Sequence, residues 1–157
     1  MTVLEKVQAY LDARKPGLKV IELAEDTSTA ELAAEALGVE VGQIAKSLLF
    51  KAKDEYIMVV SAGDVRMNNK KLKQVVGSRV RMAKAQEVIE TTGYPIGGVC
   101  PFALPQPLTV YLDESLKRYP VVYAAAGTPN SALPITFQEL QEITAGIPCQ
   151  VSEEADL

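Results

Sequence analysis

Histidine is absent from all 157 residues. That single absence removes Ser-His-Asp and Cys-His nucleophile activation, His-ligated zinc and imidazole proton transfer. Any catalysis must draw on lysine, carboxylates, backbone amides, bound water or the substrate itself. Cysteine is scarce: Cys100 and Cys149 stand far apart and neither belongs to a CxxC pair, so a zinc knuckle or dithiol redox site is not expected. Both are read as free thiols. Long apolar runs are also missing. Ile57 to Val60 and Ala124 to Ala126 fall far short of the roughly 20 residues a membrane helix requires. Met1 to Lys6 lacks the basic-then-apolar order of a secretory signal, and the expected compartment is the cytoplasm.

What is present suits one packed domain, with 48% apolar and 23% charged residues. The net charge of −4 argues against a uniformly basic nucleic-acid binder. The charge is uneven, however: Arg66, Lys70, Lys71, Lys73, Arg79, Arg81 and Lys84 follow one another with no acidic residue between them. Such a run is either a solvated helix face or a patch for a polyanion.

Helix signals recur along the chain. Thr2 and Glu5 form a capping-box pair ahead of Val3, Val7, Tyr10 and Leu11, and Pro16-Gly17 stops that helix. Ser28 and Glu31 repeat the spacing before a second helix ended by Gly38, and Thr136 and Glu139 repeat it before the last, which runs to Thr144. Asn68 or Asn69 caps a short basic helix to Val76, and Ala85 to Thr91 reads as another. Strands are expected at 18–23, 44–52, 56–62, 79–82, 108–113, 121–125, 133–136 and 148–151, with 44–52 and 56–62 forming a central antiparallel hairpin. The expected class is α+β: one domain over residues 1–151 with a mixed, mostly antiparallel, curved and barrel-like sheet wrapped by helices. The acidic tail at 152–157 is expected to fray.

Two local features invite a chemical reading. Lys46 lies inside "IAKSLLF", where strand alternation puts it on the side of Ile44, Leu48 and Phe50. Its bland explanation is snorkelling, with the stem packed and the ammonium in water. The stretch "TTGYPIGGVCPFALPQP" holds too many glycines and prolines for a regular element and reads as a structured loop whose bare N–H and C=O groups can meet a ligand. Cys100 sits in it, and without an imidazole to activate the thiol its structural reading outweighs a catalytic one.

Three segments, "AAEALGVEVGQIAKSLLF", "TTGYPIGGVCPFA" and "AAGTPNSALPITFQEL", together resemble the YbaK/ProX family of free-standing aminoacyl-tRNA deacylases, relatives of the editing domain inserted in bacterial prolyl-tRNA synthetases. The family's lysine before a Ser/Thr-Leu pair matches Lys46-Ser47-Leu48, and its GxxxP loop matches Gly97 to Pro101. The resemblance covers nearly the whole chain. It implies hydrolysis of the ester joining a small, wrongly attached amino acid to the 3′-terminal adenosine of tRNA, with tRNA for proline the first candidate. No metal or other cofactor is implied, and neither DNA nor membrane is an expected partner. Prolyl-tRNA synthetase is the partner to try first.

Carried over residue by residue, the resemblance gives Lys46, Gly97 and Gly98 the catalytic positions. Lys46 would grip the terminal phosphate or the ester region. Ser47, Tyr94, Val99, Cys100, Pro101, Ala126 and Gly127 would shape the substrate pocket. Arg66, Lys70, Lys71, Lys73, Arg79, Arg81 and Lys84 would then follow the acceptor-stem phosphates. Some family members carry Gly-Gly and a later aspartate where this chain has Ala125-Ala126-Gly127 and Ala132-Leu133-Pro134. The residues leave open whether cysteine, alanine, serine or another small amino acid is removed. Two other readings of the same residues remain: a non-catalytic tRNA- or nucleotide-binding module, and a Schiff-base lysine at Lys46.

Overall fold

A computed structural model describes residues 1–154. The chain order is α1 (Val3–Arg14), β1 (Ile21–Glu22), α2 (Ala30–Leu37), β2 (Ile44–Ala52), β3 (Glu55–Ala62), β4 (Val65–Met67), α3 (Asn69–Val76), β5 (Val80–Met82), α4 (Ala85–Thr92), β6 (Thr109–Asp113), β7 (Val122–Ala124), β8 (Ser131–Ile135), α5 (Phe137–Thr144), β9 (Ile147–Cys149) and β10 (Ser152–Glu154). Short 3-10 turns at Val41–Gln43 and Glu114–Arg118 complete it. None of the helices among the described residues is long and apolar enough to cross a membrane.

Capping chemistry sets the helix starts. Thr2 and Glu5 exchange hydrogen bonds at α1, and Thr136 and Glu139 do so at α5, as their spacing predicts. The second helix starts one residue later than its spacing suggests. Ser28 is occupied: its N–H donates to Asp26 Oδ1 and its Cα and Cβ lie against the Gly97 backbone. Thr29 takes the cap instead, accepting from Leu32 N–H at 3.1 Å.

The main sheet has the order β1-β8-β7-β2-β3-β6-β9, with β5 also on β2. The hairpin β2–β3 is antiparallel over its whole length, and β7–β8, β1–β8 and β2–β5 are antiparallel too. Parallel joins link β2 to β7, β3 to β6 and β6 to β9, so the sheet is mixed. Both faces are covered. On one, Met58, Val60 and Ala62 of β3 meet Val110 and Leu112 of β6, Val7 and Leu11 of α1, and Leu140 of α5. On the other, Ile57, Val59 and Phe50 meet Leu72 of α3, Cys149 and Val151. A smaller cluster seats Ala33 and Ala34 of α2 on Ile44. This double coverage buries seven of the eight residues of β3 at least partly and six of them fully, which is why the strand reads as a nearly unbroken apolar run.

The acidic tail is a correction to the sequence reading. Ser152–Glu154 is not frayed but pairs antiparallel with Val65–Met67. The buried carboxylate of Asp113 holds it there, accepting from Val151 N–H at 2.8 Å, Ser152 Oγ at 2.6 Å and Ser115 N–H at 3.1 Å. Residues 155–157 lie outside the described residues.

Candidate active site

The edge of β2 opposite β3 is shared by two short strands. β7 pairs with Ile44 and Ala45, β5 pairs with Phe50 to Ala52, and the residues between have no strand partner on that side. A cavity of about 270 Å³ opens at this gap, at the small end of ligand-site volumes (roughly 300–1,000 Å³). Its walls are the α2 entry at Thr27 to Ala30, the β2 segment from Ile44 to Leu49, Met82 and Ala83 after β5, Ile96, Gly97 and Val99 from the glycine loop, and Tyr123 to Ala125 from the end of β7.

Lys46 and the glycine loop therefore border one cavity. The Lys46 side chain emerges on the sheet's second face, between the α2 cluster at Ile44 and the α3 cluster at Leu48 and Phe50. That gap between two packed patches is where a half-buried amine fits. Its Nζ donates to the Val65 carbonyl at 2.8 Å. Desolvation holds its pKa below the ordinary lysine value, while the carboxylates of Glu31 and Asp64 act in the opposite direction. Asp64 is in turn paired with Arg118.

The glycine loop is wedged between two backbones. Gly97 has φ +98°, and a Cβ there would lie 2.8 Å from Ser28 Cβ. A Cβ on Gly98 would lie 2.8 Å from the backbone of Gly127, the second glycine turn. Side chains at either position would push the loop off its supports. The Gly98 N–H donates to the Pro95 carbonyl at 2.9 Å, closing the turn. It is thereby committed to the loop itself. Gly97 and Val99 are the motif residues that reach the cavity wall.

Of the residues singled out from sequence, Lys46, Ser47, Gly97 and Val99 line the cavity, whereas Gly98, Tyr94, Cys100, Pro101, Ala126 and Gly127 stand behind its wall. Tyr94 is buried with its hydroxyl donating to the Phe102 carbonyl. Cys100 is fully buried, and burial pushes its thiol up to about 12, the opposite of what a nucleophile needs. Ala126 N–H donates to Ser131 Oγ, which itself donates to the Thr128 carbonyl, so this layer braces the second glycine turn. Sequence reasoning missed Thr27, Ser28, Met82, Tyr123 and Ala125, which come to the cavity only through non-local pairing. Among the described residues no group of three or more His, Cys, Asp or Glu is placed to hold a metal ion.

The basic run is exposed throughout. Two of its members are engaged: Arg66 pairs with Glu153 of β10 at 2.8 Å, and Arg81 makes a two-pronged contact with Glu87 at 2.8 and 3.0 Å. Lys71 Nζ reaches the Ser152 carbonyl at 3.4 Å. None of the seven lines the cavity, although Met82 and Ala83 of the same stretch do.

The model of the aminoacyl-tRNA editing domain matches residues 24–143, from before α2 to the end of α5. The chain belongs to the aminoacyl-tRNA editing domain family. The protein YwhH of Bacillus subtilis (strain 168) is 47% identical over 126 residues, 80% of each chain. The proline–tRNA ligase of Thermotoga maritima is 30% identical over 148 residues, which are 88% of this chain but 24% of that enzyme. This editing domain thus spans about a quarter of that ligase. The crystal structure of a candidate trans-editing enzyme for prolyl tRNA synthetase superposes with a TM-score of 0.91 at 41% identity, covering 98% of both chains.

Proposed function

We propose that this protein is a trans-editing hydrolase that removes a small, wrongly attached amino acid from tRNA, with tRNA for proline its substrate. The observation that carries the reading is the meeting of Lys46 with Gly97 and Val99 at one small cavity in a chain of the editing family. The family acts on aminoacyl-tRNA and is related to prolyl-tRNA synthetase.

An aminoacyl ester is already activated, so positioning and fixed dipoles can carry much of its hydrolysis. One well-placed oxyanion donor is worth about 2.7–4 kcal/mol. The aminoacyl group enters the cavity, and the Lys46 ammonium holds the phosphate of the terminal nucleotide at its mouth. The water oxygen bonds to the ester carbonyl carbon, the bond to the ribose oxygen breaks, and that oxygen leaves with a proton. Gly97 and Val99 keep the backbone close to the acyl group, and the wedge of Gly98 against Gly127 fixes where that backbone lies.

Assaying release from a panel of mischarged tRNAs tests the reading. Wild type is expected to deacylate at least one tRNA carrying a small amino acid, and Lys46→Ala to lose about 100-fold or more of that activity while staying folded. Binding without turnover by wild type would favour the binding-module alternative. Undiminished hydrolysis by a folded Lys46→Ala protein would overturn the role given to the amine.

A further inference from the structure

The broken edge of β2 offers more than side chains. In a strand, the N–H and C=O of one residue point to the same side, and successive residues alternate. Ala83 N–H donates to the Leu49 carbonyl at 3.0 Å, so Leu49 directs its main chain away from β3. Ala45, Ser47 and Lys51 do the same by alternation. Ala45 is opposite Ala124 of β7 and Lys51 is opposite Arg81 of β5. Ser47 falls between them, faces no strand residue on that edge, and borders the cavity. The β7 chain parts from β2 immediately after Ala124, so the next pairing in register, which would answer Ser47 N–H, is not formed.

An unpaired stretch of sheet edge is a template for another backbone. We infer that the Ser47 main chain binds the aminoacyl group as though it were one further strand residue: Ser47 N–H donates to the ester carbonyl oxygen, and Ser47 C=O accepts from the α-ammonium. This rests on the deacylase reading and deepens it. An aminoacyl ester with its α-amino group free carries the donor and acceptor that an antiparallel partner presents, so the pairing ignores the side chain and leaves its selection to the cavity walls. As water adds, negative charge builds on the carbonyl oxygen that Ser47 N–H already holds. That donor is fixed by the β2–β3 hairpin and needs no reorganisation. Ser47 gives up no proton at any step.

Replacing one amide by an ester tests the inference without touching a side chain. Full-length protein with the α-hydroxy analogue of serine at position 47 is expected to lose about 10²–10³-fold in kcat. Its Tm should fall less than when the analogue of phenylalanine occupies position 50, whose N–H faces Ile57 of β3. The position 50 ester should keep its rate. In parallel, amide hydrogen exchange at Ser47 should be fast in the free protein and slow at least 10-fold with 3′-alanylamido-3′-deoxyadenosine bound. Unchanged kcat in the position 47 ester, or a Ser47 amide protected in the free protein or unaltered by the bound analogue, would overturn the inference. Wild-type inactivity on every mischarged tRNA would instead overturn the deacylase reading, and the exchange measurement would still decide the role of Ser47.

Discussion

Lys46 occupies the seam between the apolar patch under α2 and the one under α3, and among the described residues its ammonium donates to the Val65 carbonyl. A methylene stem can pack in such a seam, but a charged head held there must be answered by dipoles and nearby carboxylates. The glycine loop shows the converse constraint, in which the absence of a side chain is the requirement. Gly97→Ala is expected to lower stability by about 1–3 kcal/mol, since the residue would be held in a left-handed conformation and pressed against Ser28. Gly17 provides the control. It also has positive φ, +109°, but open space around it, so Gly17→Ala should cost less. Thermal denaturation of the two variants measures the difference, and only Gly97→Ala should also depress deacylation. The odd position of Lys46 and the special backbone of residues 97–101 were both legible in sequence, because each breaks a local pattern.

At the scale of elements, hairpins and capped helices were legible and edges were not. The β2–β3 hairpin and the capping boxes at Thr2 and Thr136 are local signals, and they appear where their residues place them. Leu18 to Leu23 yields only the two-residue β1, since its pairing is limited to Ser131 and Ala132 of β8. The strands β4 and β10 escaped notice because they are short and charged, and each exists by pairing with the other across 85 residues or more of chain. Asp113 explains the second of them. Burial raises its pKa, but the bonds from Ser115, Ser152 and Val151 outweigh that, leaving it below the ordinary value of 3.8. A depressed carboxylate contributes stability that is fully present above its unfolded pKa and is lost as pH falls through the folded one. Asp113→Asn should therefore destabilise the protein at neutral pH by about 1–3 kcal/mol and flatten the loss of stability below pH 3.8, as followed by urea titrations across pH.

For the molecule as a whole, charge is where sequence and space part most. The run from Arg66 to Lys84 contains no acid, yet folding sets Glu153 against Arg66 and Glu87 against Arg81. Five cations of the run, Lys70, Lys71, Lys73, Arg79 and Lys84, make no ion pair among the described residues, although Lys71 reaches the Ser152 carbonyl. If the acceptor stem crosses this face, Lys70→Ala and Lys73→Ala should each reduce the slope of log K against log salt for tRNA binding by roughly 0.7–0.9. Arg81→Ala should leave the slope nearly unchanged, because its guanidinium is already neutralised.

Both cysteines are buried, Cys100 completely in the larger core and Cys149 in the smaller with 9% of its surface exposed, and burial pushes each thiol up to about 12. Alkylating reagents at neutral pH therefore meet little thiolate while the chain is folded, and Cys100 reacts as the interior opens. The molecule carries a built-in clock: the rate at which iodoacetamide modifies the native chain reports how often each core breathes, with Cys100 timing the α1 and α5 side and Cys149 the α3 side. Equal rates would mean that the two halves open together, and a faster Cys149 that the C-terminal edge lets go first.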